Sequence, residues 1–268
     1  MPEALERVLQ LWQPVAGPGG LLLAYGGTRE AFAKIAYEPK VFVDDPRLRT
    51  RDHQREYQSY SGVLRAAADW LRARPEFAYV HLVEFDHLPV VDELNPRLLE
   101  RLAAEDADLL AHHLHRIDGS SHPHYLYHAS NPQFHEWISS ISCRADKRVV
   151  LSMLGTGSFW RRSCFDAAAA ADEPFPTYFE LYLPTVAHHL GFRVRPWNDQ
   201  SAFIANLPRP DITIVNARKA GAWTVHPVKD VTTDVLSELP QHAPDSASRV
   251  QSPRRVRVQA DDAKPLER

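Results

Sequence analysis

Short apolar runs alternate with amphipathic helical segments along the first half of this 268-residue chain, and this alternation restricts the fold more than any other feature. Apolar runs at residues 21–25 and 40–43 are typical of buried strands, whereas residues 57–74 carry apolar side chains at helical spacing. Strands that alternate with helices favour a mainly parallel central sheet flanked by helices. The sequence therefore predicts one α/β domain at residues 1–238. The polar, Pro- and Ser-rich residues 239–268 predict a disordered tail.

Composition narrows the classes of function. A formal net charge of −3 does not provide the basic face of a nucleic-acid-binding protein, so we expect no nucleic-acid partner. The two cysteines, Cys143 and Cys164, show neither a disulfide framework nor zinc-site spacing, which favours a reducing, cytoplasmic setting. The N-terminus lacks a charged leader followed by an apolar core. No run approaches the ~18 apolar residues of a transmembrane segment, which leaves only peripheral membrane contact open.

The apolar run at residues 79–83 ends in two carboxylates one residue apart, Glu84 and Asp86. Ligands of open α/β sheets bind beyond the carboxyl ends of the strands. Alternate side chains of an extended strand share a face, so both acids would point at one ion. Divalent cations such as magnesium bind carboxylates and share their shell with substrate phosphates. The pattern predicts a metal–diphosphate site, and a solvated strand end is the structural alternative.

A late His-Pro-x-Lys element supports the metal interpretation. His226 supplies an imidazole, a common metal ligand, and Lys229 supplies an ammonium that binds phosphate as a compact charge. A core histidine with satisfied hydrogen bonds and a solvent-exposed lysine are the alternatives for these two positions.

Two early turns are candidate donor contacts. Tyr25-Gly26-Gly27 follows the first strand, where glycine lets the backbone approach a ligand closely. Asp44 follows the second strand, where it could accept a hydrogen bond from a base or ribose. Plain turns explain both segments equally well, because Asp44 could also begin the turn that Pro46 completes.

A glycine-rich segment at residues 155–162 ends in aromatic and basic side chains. Sugars stack their C–H faces on aromatic rings, and guanidinium matches phosphate geometry. The candidate donor contacts here are Gly155, Gly157, Trp160 and Arg161. The alternative is a tight turn with Phe159 and Trp160 in the core.

Glu180 lies at the start of a predicted amphipathic helix at residues 178–190. Its interaction with the helix dipole is a sufficient structural reason for a carboxylate there. A general base that reaches an acceptor hydroxyl would also suit this position.

Seven of the 14 histidines fall between His112 and His135. A zinc or binuclear metal centre is one interpretation, but no H-E-x-x-H or comparable spacing is present. Scattered surface or acceptor-pocket histidines fit the pattern better. We expect residues 116–133, which are rich in His, Ser, Pro and Tyr, to form a long loop.

Taken in order, these segments resemble a nucleotide-sugar-dependent glycosyltransferase of the GT-A type. In that superfold an N-terminal α/β half binds the nucleotide, and a strand ends in an acid-x-acid motif that holds manganese or magnesium on the donor diphosphate. Glu84-Phe85-Asp86 resembles this motif, with Glu84 replacing the commoner Asp. Residues 155–162 are similar to the segment that lines the donor sugar and acceptor. Phe179-Glu180-Leu181 is similar to the acidic motif that supplies the base, although Glu180 has no adjacent Asp.

The resemblance implies a GT-A-like, Rossmann-like fold and transfer of a sugar from a nucleotide-sugar donor to a carbohydrate or other hydroxyl acceptor. It also implies a metal on Asp86, Glu84 and His226, with Glu180 as the base. Glu84 and Lys229 would add donor contacts. Three alternatives remain: a nucleotidyltransferase, a metal-dependent hydrolase that uses the histidine cluster, and a binding module without activity.

Overall fold

A computed structural model describes residues 2–17, 20–50, 53–141, 149–170, 175–197, 201–203 and 214–228. The fold is mixed α/β, as the alternation of segments predicted, and its sheets are small. The described helices are α1 Pro2–Ala16, α2 Arg29–Lys34, α3 His53–Arg72, α4 Leu94–Ala104, α5 Pro123–Ala129, α6 Pro132–Ile141, α7 Arg162–Ala169, α8 Phe179–His189 and α9 Ile214–Lys219, with a 3-10 turn at Pro46–Arg49. The described strands are β1 Leu23–Tyr25, β2 Lys40–Phe42, β3 Tyr79–Leu82, β4 Leu88–Pro89, β5 Leu109–Ala111, β6 His115–Arg116, β7 Leu151–Ser152, β8 Ser158–Arg161, β9 Val194–Pro196, β10 Ser201–Phe203 and β11 Thr224–His226.

The largest described sheet has four strands in the order β3-β8-β5-β9. Strands β5 and β9 are parallel, but β8 runs antiparallel to both β3 and β5. Strands β3, β5 and β9 therefore run in one direction and β8 alone is reversed, so the sheet is mixed. Alternating strands and helices in a sequence cannot reveal that one strand enters a sheet in the opposite direction.

Three smaller sheets surround the four-stranded one in the described part of the chain. Strands β1 and β2 form a parallel pair, and β6 and β7 form an antiparallel pair. In the third sheet, β11 lies between β10, with which it is parallel, and β4, with which it is antiparallel. The β4–β11 pairing joins the middle of the chain to its late His-Pro element.

Hydrophobic clusters cover both faces of the four-stranded sheet. Along β8, Trp160 belongs to one cluster and its neighbour Phe159 to the other. Leu109 and Leu110 on β5 are divided in the same way. This alternation follows from the two-residue period of a strand, whose successive side chains point to opposite faces.

Helices occupy half of the histidine-rich segment at residues 116–133, so the predicted long loop there is wrong. Helices α5 and α6 begin at Pro123 and Pro132. Proline suits a first helical position because its missing N–H would have no intrahelical partner there. Phe134 and Trp137 bury one face of α6 in the core.

Some expectations concern parts of the chain that the structure does not describe. Lys229, Cys143 and the predicted tail at 239–268 lie outside the described residues. None of the described helices combines the length and apolar character that crossing a lipid bilayer requires.

Candidate functional site

Three predicted metal ligands, Glu84, Asp86 and His226, come together in the structure and could hold a metal ion. We call these three residues the metal group. Glu84, Asp86 and His226 each offer one ligand atom, and these atoms all lie within 4.8 Å of one another. The Nε2 atom of His226 is 3.4 Å from Oδ1 of Asp86. Asp86 is 2% exposed and His226 8% exposed, whereas Glu84 is half-buried. A cation suits this set because buried carboxylates close together repel one another unless positive charge lies between them.

A turn, rather than an extended strand, directs the two acids toward one point. Strand β3 ends at Leu82, and the carbonyl of Glu84 accepts a hydrogen bond from the His87 N–H at 3.1 Å. The expectation that Glu84 and Asp86 occupy alternate positions of a strand is therefore wrong, although their convergence is confirmed. The turn lets side chains of a short segment approach one another without the strict alternation of a pleat.

The antiparallel pairing of β4 with β11 brings His226 to the acids. Leu88 lies opposite Val225 in this pairing, so the next residue of β11 lies beside the turn that precedes β4. The N–H of Val228 donates to the carbonyl of Asp86 at 2.8 Å. Backbone hydrogen bonds on both sides of His226 thus fix its position relative to Asp86.

Two side chains that the sequence analysis did not select hold Glu84. The hydroxyl of Tyr60 on α3 donates to Oε1 of Glu84 at 3.1 Å. The backbone N–H of Glu84 donates to Oγ1 of Thr156 at 2.8 Å, and the same oxygen lies 3.1 Å from Nδ1 of His87. Such outer partners orient metal ligands and commonly affect metal affinity 10- to 100-fold. In the sequence, the feature that could have identified Thr156 is its position as a hydroxyl-bearing residue between two glycines.

Close packing explains the two glycines of that segment. A Cβ on Gly155 would overlap the ring of Phe179, and a Cβ on Gly157 would overlap the imidazole of His87. Gly157 also has a φ of +79°, which side chains rarely tolerate. The segment therefore fits between the metal group and the start of α8, and its glycines are needed there without any ligand.

Glu180 lies beside the glycine-rich segment, and its two carboxylate oxygens face different partners. Its Oε1 accepts the Gly155 N–H at 3.1 Å, and its Oε2 lies 3.6 Å from Nδ1 of His124. Burial raises the pKa of Glu180 to about 7, the Gly155 N–H opposes that change, and the charge of Glu84 adds to it. Glu180 is thus electrostatically coupled to the metal group. A carboxyl group with a pKa near neutrality is suited to proton transfer.

Tyr60 connects Glu180 to the metal group as well. Its ring stacks on Phe179, the residue before Glu180, with centroids 4.2 Å apart and an interplanar angle of 3°. Because its hydroxyl also donates to Glu84, the side chain of Tyr60 contacts both the metal group and the residue next to Glu180. Helix α3 therefore positions Glu84, in the turn after β3, relative to Glu180 at the start of α8.

Burial favours the neutral forms of two histidines near the metal group. Burial lowers the pKa of His112 to about 3 and that of His87 well below its usual range. The rings of His87 and His226 are 5.5 Å apart. In the described part of the chain, Glu84, Asp86 and His226 form the one group of three that could hold a metal ion. The histidine cluster thus gives no support to the zinc-hydrolase alternative there.

Two predicted donor contacts lie elsewhere in the fold. Trp160 is fully buried in the core and donates its indole N–H to Ser158, as the structural alternative for this segment predicted. A buried tryptophan contributes about 3–5 kcal/mol relative to alanine, which is a sufficient reason for the residue. Arg161 pairs with Asp108 at 3.2 Å and lies opposite Tyr79, at the end of β3 remote from Glu84. Arg161 therefore lies away from the metal group, and its role as a donor contact stays a prediction.

The first predicted nucleotide turn forms a corner on the β1–β2 sheet. A Cβ on Gly26 would overlap Leu48, and a Cβ on Gly27 would overlap the ring of Tyr25. The guanidinium of Arg49 donates to the Gly27 carbonyl at 3.0 Å. These contacts give the glycines a packing role, and their donor role stays a prediction.

Asp44 is at the same corner and is exposed. Arg29 binds its carboxylate at 2.7 Å, and this hydrogen bond holds the pKa of Asp44 below its usual value. The neighbouring Val43 packs against Gly62 of α3, the helix that also carries Tyr60. One helix thus separates this corner from the metal group, and a role for Asp44 with a nucleotide stays a prediction.

Comparisons with protein families, with curated proteins and with solved structures find no match to this chain. The metal group, Glu180 and their supporting contacts are therefore the basis for the function proposed below.

Replacing Thr156 by valine is expected to weaken metal binding about 10- to 100-fold, because the hydroxyl holds the Glu84 backbone. Thr156 is 1% exposed, so the lost hydrogen bonds should also lower the free energy of unfolding by about 1–3 kcal/mol. Thr156→Ser keeps the hydroxyl and is the matched control. Manganese titration and urea unfolding measure the two effects. Equal manganese affinity in the valine variant and the parent would contradict this role for Thr156.

Proposed function

We propose that this protein is a metal-dependent glycosyltransferase that moves a sugar from a nucleotide-sugar donor to a hydroxyl group of an acceptor. One observation carries the proposal: Glu84, Asp86 and His226 converge, and Glu180, whose pKa burial raises to about 7, is coupled to Glu84. Such a pair of sites supplies what sugar transfer requires, a place for a diphosphate-bound cation and a nearby proton acceptor.

The three ligands supply oxygen and nitrogen donors that manganese or magnesium accepts. A divalent cation on Asp86, Glu84 and His226 would stabilise the charge on the departing nucleoside diphosphate. Lys229 follows Val228 directly in the sequence, and a phosphate contact from its ammonium stays a prediction.

Glu180 is the group suited to take the proton of the acceptor hydroxyl if the reaction inverts the anomeric centre. A positioned general base contributes about 10²- to 10⁴-fold to the rate of such steps. The Gly155 N–H fixes one carboxylate oxygen of Glu180, which leaves the oxygen on the His124 side for the acceptor.

A nucleotidyltransferase is the second candidate, because it also requires a metal–phosphate site and a basic residue near an early glycine turn. Arg49 lies at that turn, where it donates to the carbonyl of Gly27. Arg49 also pairs with Asp44 at 3.4 Å, and so does Arg29 at 2.7 Å. Both arginines of this corner thus stabilise the turn instead of being directed at a triphosphate. This favours the glycosyltransferase over the nucleotidyltransferase.

The decisive assay incubates the protein with a panel of nucleotide-sugars, with manganese or with a chelator. We expect slow release of a nucleoside diphosphate from one donor, at least tenfold faster with manganese, because water substitutes for the acceptor. A nucleotidyltransferase would instead release pyrophosphate from a nucleoside triphosphate. A binding module would show donor binding with no release, and either of these results would contradict the proposal.

A further inference from the structure

A cavity of about 320 Å³ opens beside Glu180, on the side away from Gly155. This volume is near the lower end of the roughly 300–1,000 Å³ of small-molecule sites. Its walls include His113, His122, His124, Glu180, Met153 and Leu154. The proposed base is therefore one wall of a cavity large enough for a small ligand.

Two imidazoles in the wall have hydrogen-bonding capacity to spare. The Nδ1 atoms of His122 and His124 are buried and have no hydrogen-bond partner among the described residues, and that of His124 faces Oε2 of Glu180 at 3.6 Å. The two rings lie edge to face with centroids 5.1 Å apart. Buried polar atoms are normally paired, so these nitrogens are suited to a ligand that enters the cavity.

The charge of the wall selects the kind of ligand. Neither lysine nor arginine is among the described residues that line the cavity. Burial lowers the pKa of His113 and of His124, so these rings are neutral near pH 7. A neutral imidazole offers one donor and one acceptor, which matches a hydroxyl group. An anionic ligand would require hydrogen-bond donors alone and positive charge in the wall. The wall does not concentrate positive charge.

Apolar and aromatic surface complements these polar groups. Met153 and Leu154 line the cavity with groups suited to the C–H face of a sugar ring. Tyr127 on α5 is 46% exposed and stacks on Tyr178, whose ring packs edge to face against His124. An exposed ring next to a hydroxyl-binding wall is the arrangement that a saccharide longer than one unit would use.

We propose that this histidine-lined cavity binds an uncharged saccharide and presents its hydroxyl group to Glu180 as the acceptor. The acceptor role depends on the proposed glycosyltransferase function, whereas saccharide binding depends only on the cavity. A metal ion in the cavity is not favoured, because among the described residues the distances that a metal requires are met at Glu84, Asp86 and His226.

The test measures binding without nucleotide or metal. Saturation-transfer NMR is recorded with lactose, maltose and cellobiose as neutral probes, and with glucuronic acid and glucose 6-phosphate as acidic probes. We expect at least one neutral disaccharide to bind, and tenfold weaker binding after His122→Phe or His124→Phe. His135→Phe, an exposed position on α6, is the matched control. In His122→Asn a smaller polar side chain replaces the imidazole. This variant separates loss of the imidazole from misfolding, and thermal melting monitors the misfolding.

Several outcomes would overturn the proposal: no binding of any neutral disaccharide, stronger binding of the acidic probes, or neutral binding that all three cavity variants leave unchanged. Tight zinc binding with no saccharide binding would overturn it too. Manganese-dependent release of nucleoside diphosphate is measured on the same preparations. If that release persists while saccharide binding fails, only the acceptor assignment is wrong. If saccharide binds but no donor is cleaved, the cavity is correct and the transferase function is wrong.

Discussion

Replacing Asp86 by alanine is expected to abolish the stabilisation that manganese and a nucleoside diphosphate together give the protein. Asp86 is 2% exposed and supplies one of the three ligands. The parent should therefore bind manganese and the nucleoside diphosphate together, and a variant without this carboxylate should not. A ligand at 100 times its dissociation constant stabilises a protein by about 2.7 kcal/mol, or roughly 5–10 °C in Tm for a domain of this size. A 100-fold weaker variant would retain only about 0.4 kcal/mol, close to 1 °C.

Two further variants make this result specific. Asp86→Asn keeps the size of the side chain but removes its charge, so it should fold like the parent and still lose most of the shift. Asp69→Ala removes an exposed carboxylate of α3 that pairs only with an exposed arginine, Arg72, in the contacts described for it, and such pairs contribute about 0–1 kcal/mol. It should keep the full shift. An Asp86→Ala protein that responds to manganese and nucleotide as the parent does would show that this site is not the metal site.

The sequence predicted the residues of the metal group better than their geometry. Glu84 and Asp86 were identifiable because they directly follow an apolar run, and His226 because an imidazole is a common ligand. Their convergence depends on the pairing of β4 with β11, which joins residues far apart in the chain. Local patterns do not encode that pairing. The distance of Arg161 from the acids was unpredictable for a related reason, since the register of β8 against β3 decides which end of the strand reaches them.

Supporting contacts were harder to predict than ligands. Tyr60 occupies a position of α3 that the apolar periodicity assigned to the core, and its hydroxyl bond to Glu84 is visible only in three dimensions. The helices of the histidine-rich segment had a usable signal, because Pro123 and Pro132 each suit a first helical position. The unusual composition of the segment obscured that signal. Composition therefore gave no information about the backbone of this segment.

Replacing Glu180 by glutamine is expected to reduce the rate of sugar transfer about 10²- to 10⁴-fold and to leave donor binding unchanged. Glutamine retains an oxygen that can accept the Gly155 N–H, so the local structure should persist. Burial raises the pKa of Glu180 to about 7, and a base must be deprotonated. The parent rate should therefore rise with pH through about 7, and the variant should lose that rise. Glu136→Gln, at an exposed position of α6, is the matched control.

The stability of the same variant should change in the opposite direction to its activity. A carboxyl group whose pKa is about 7 when folded and 4.5 when unfolded binds more protons in the folded state between these values. Its contribution to stability is therefore full below pH 4.5 and is lost as the pH rises through 7. Glutamine never ionises, so without metal Glu180→Gln should unfold at a higher temperature than the parent at pH 8 and at a similar temperature near pH 4. A structural role alone would make the variant less stable at both pH values. A gain in stability at pH 8 together with a loss of transfer would identify Glu180 as a buried base held ready for an acceptor proton.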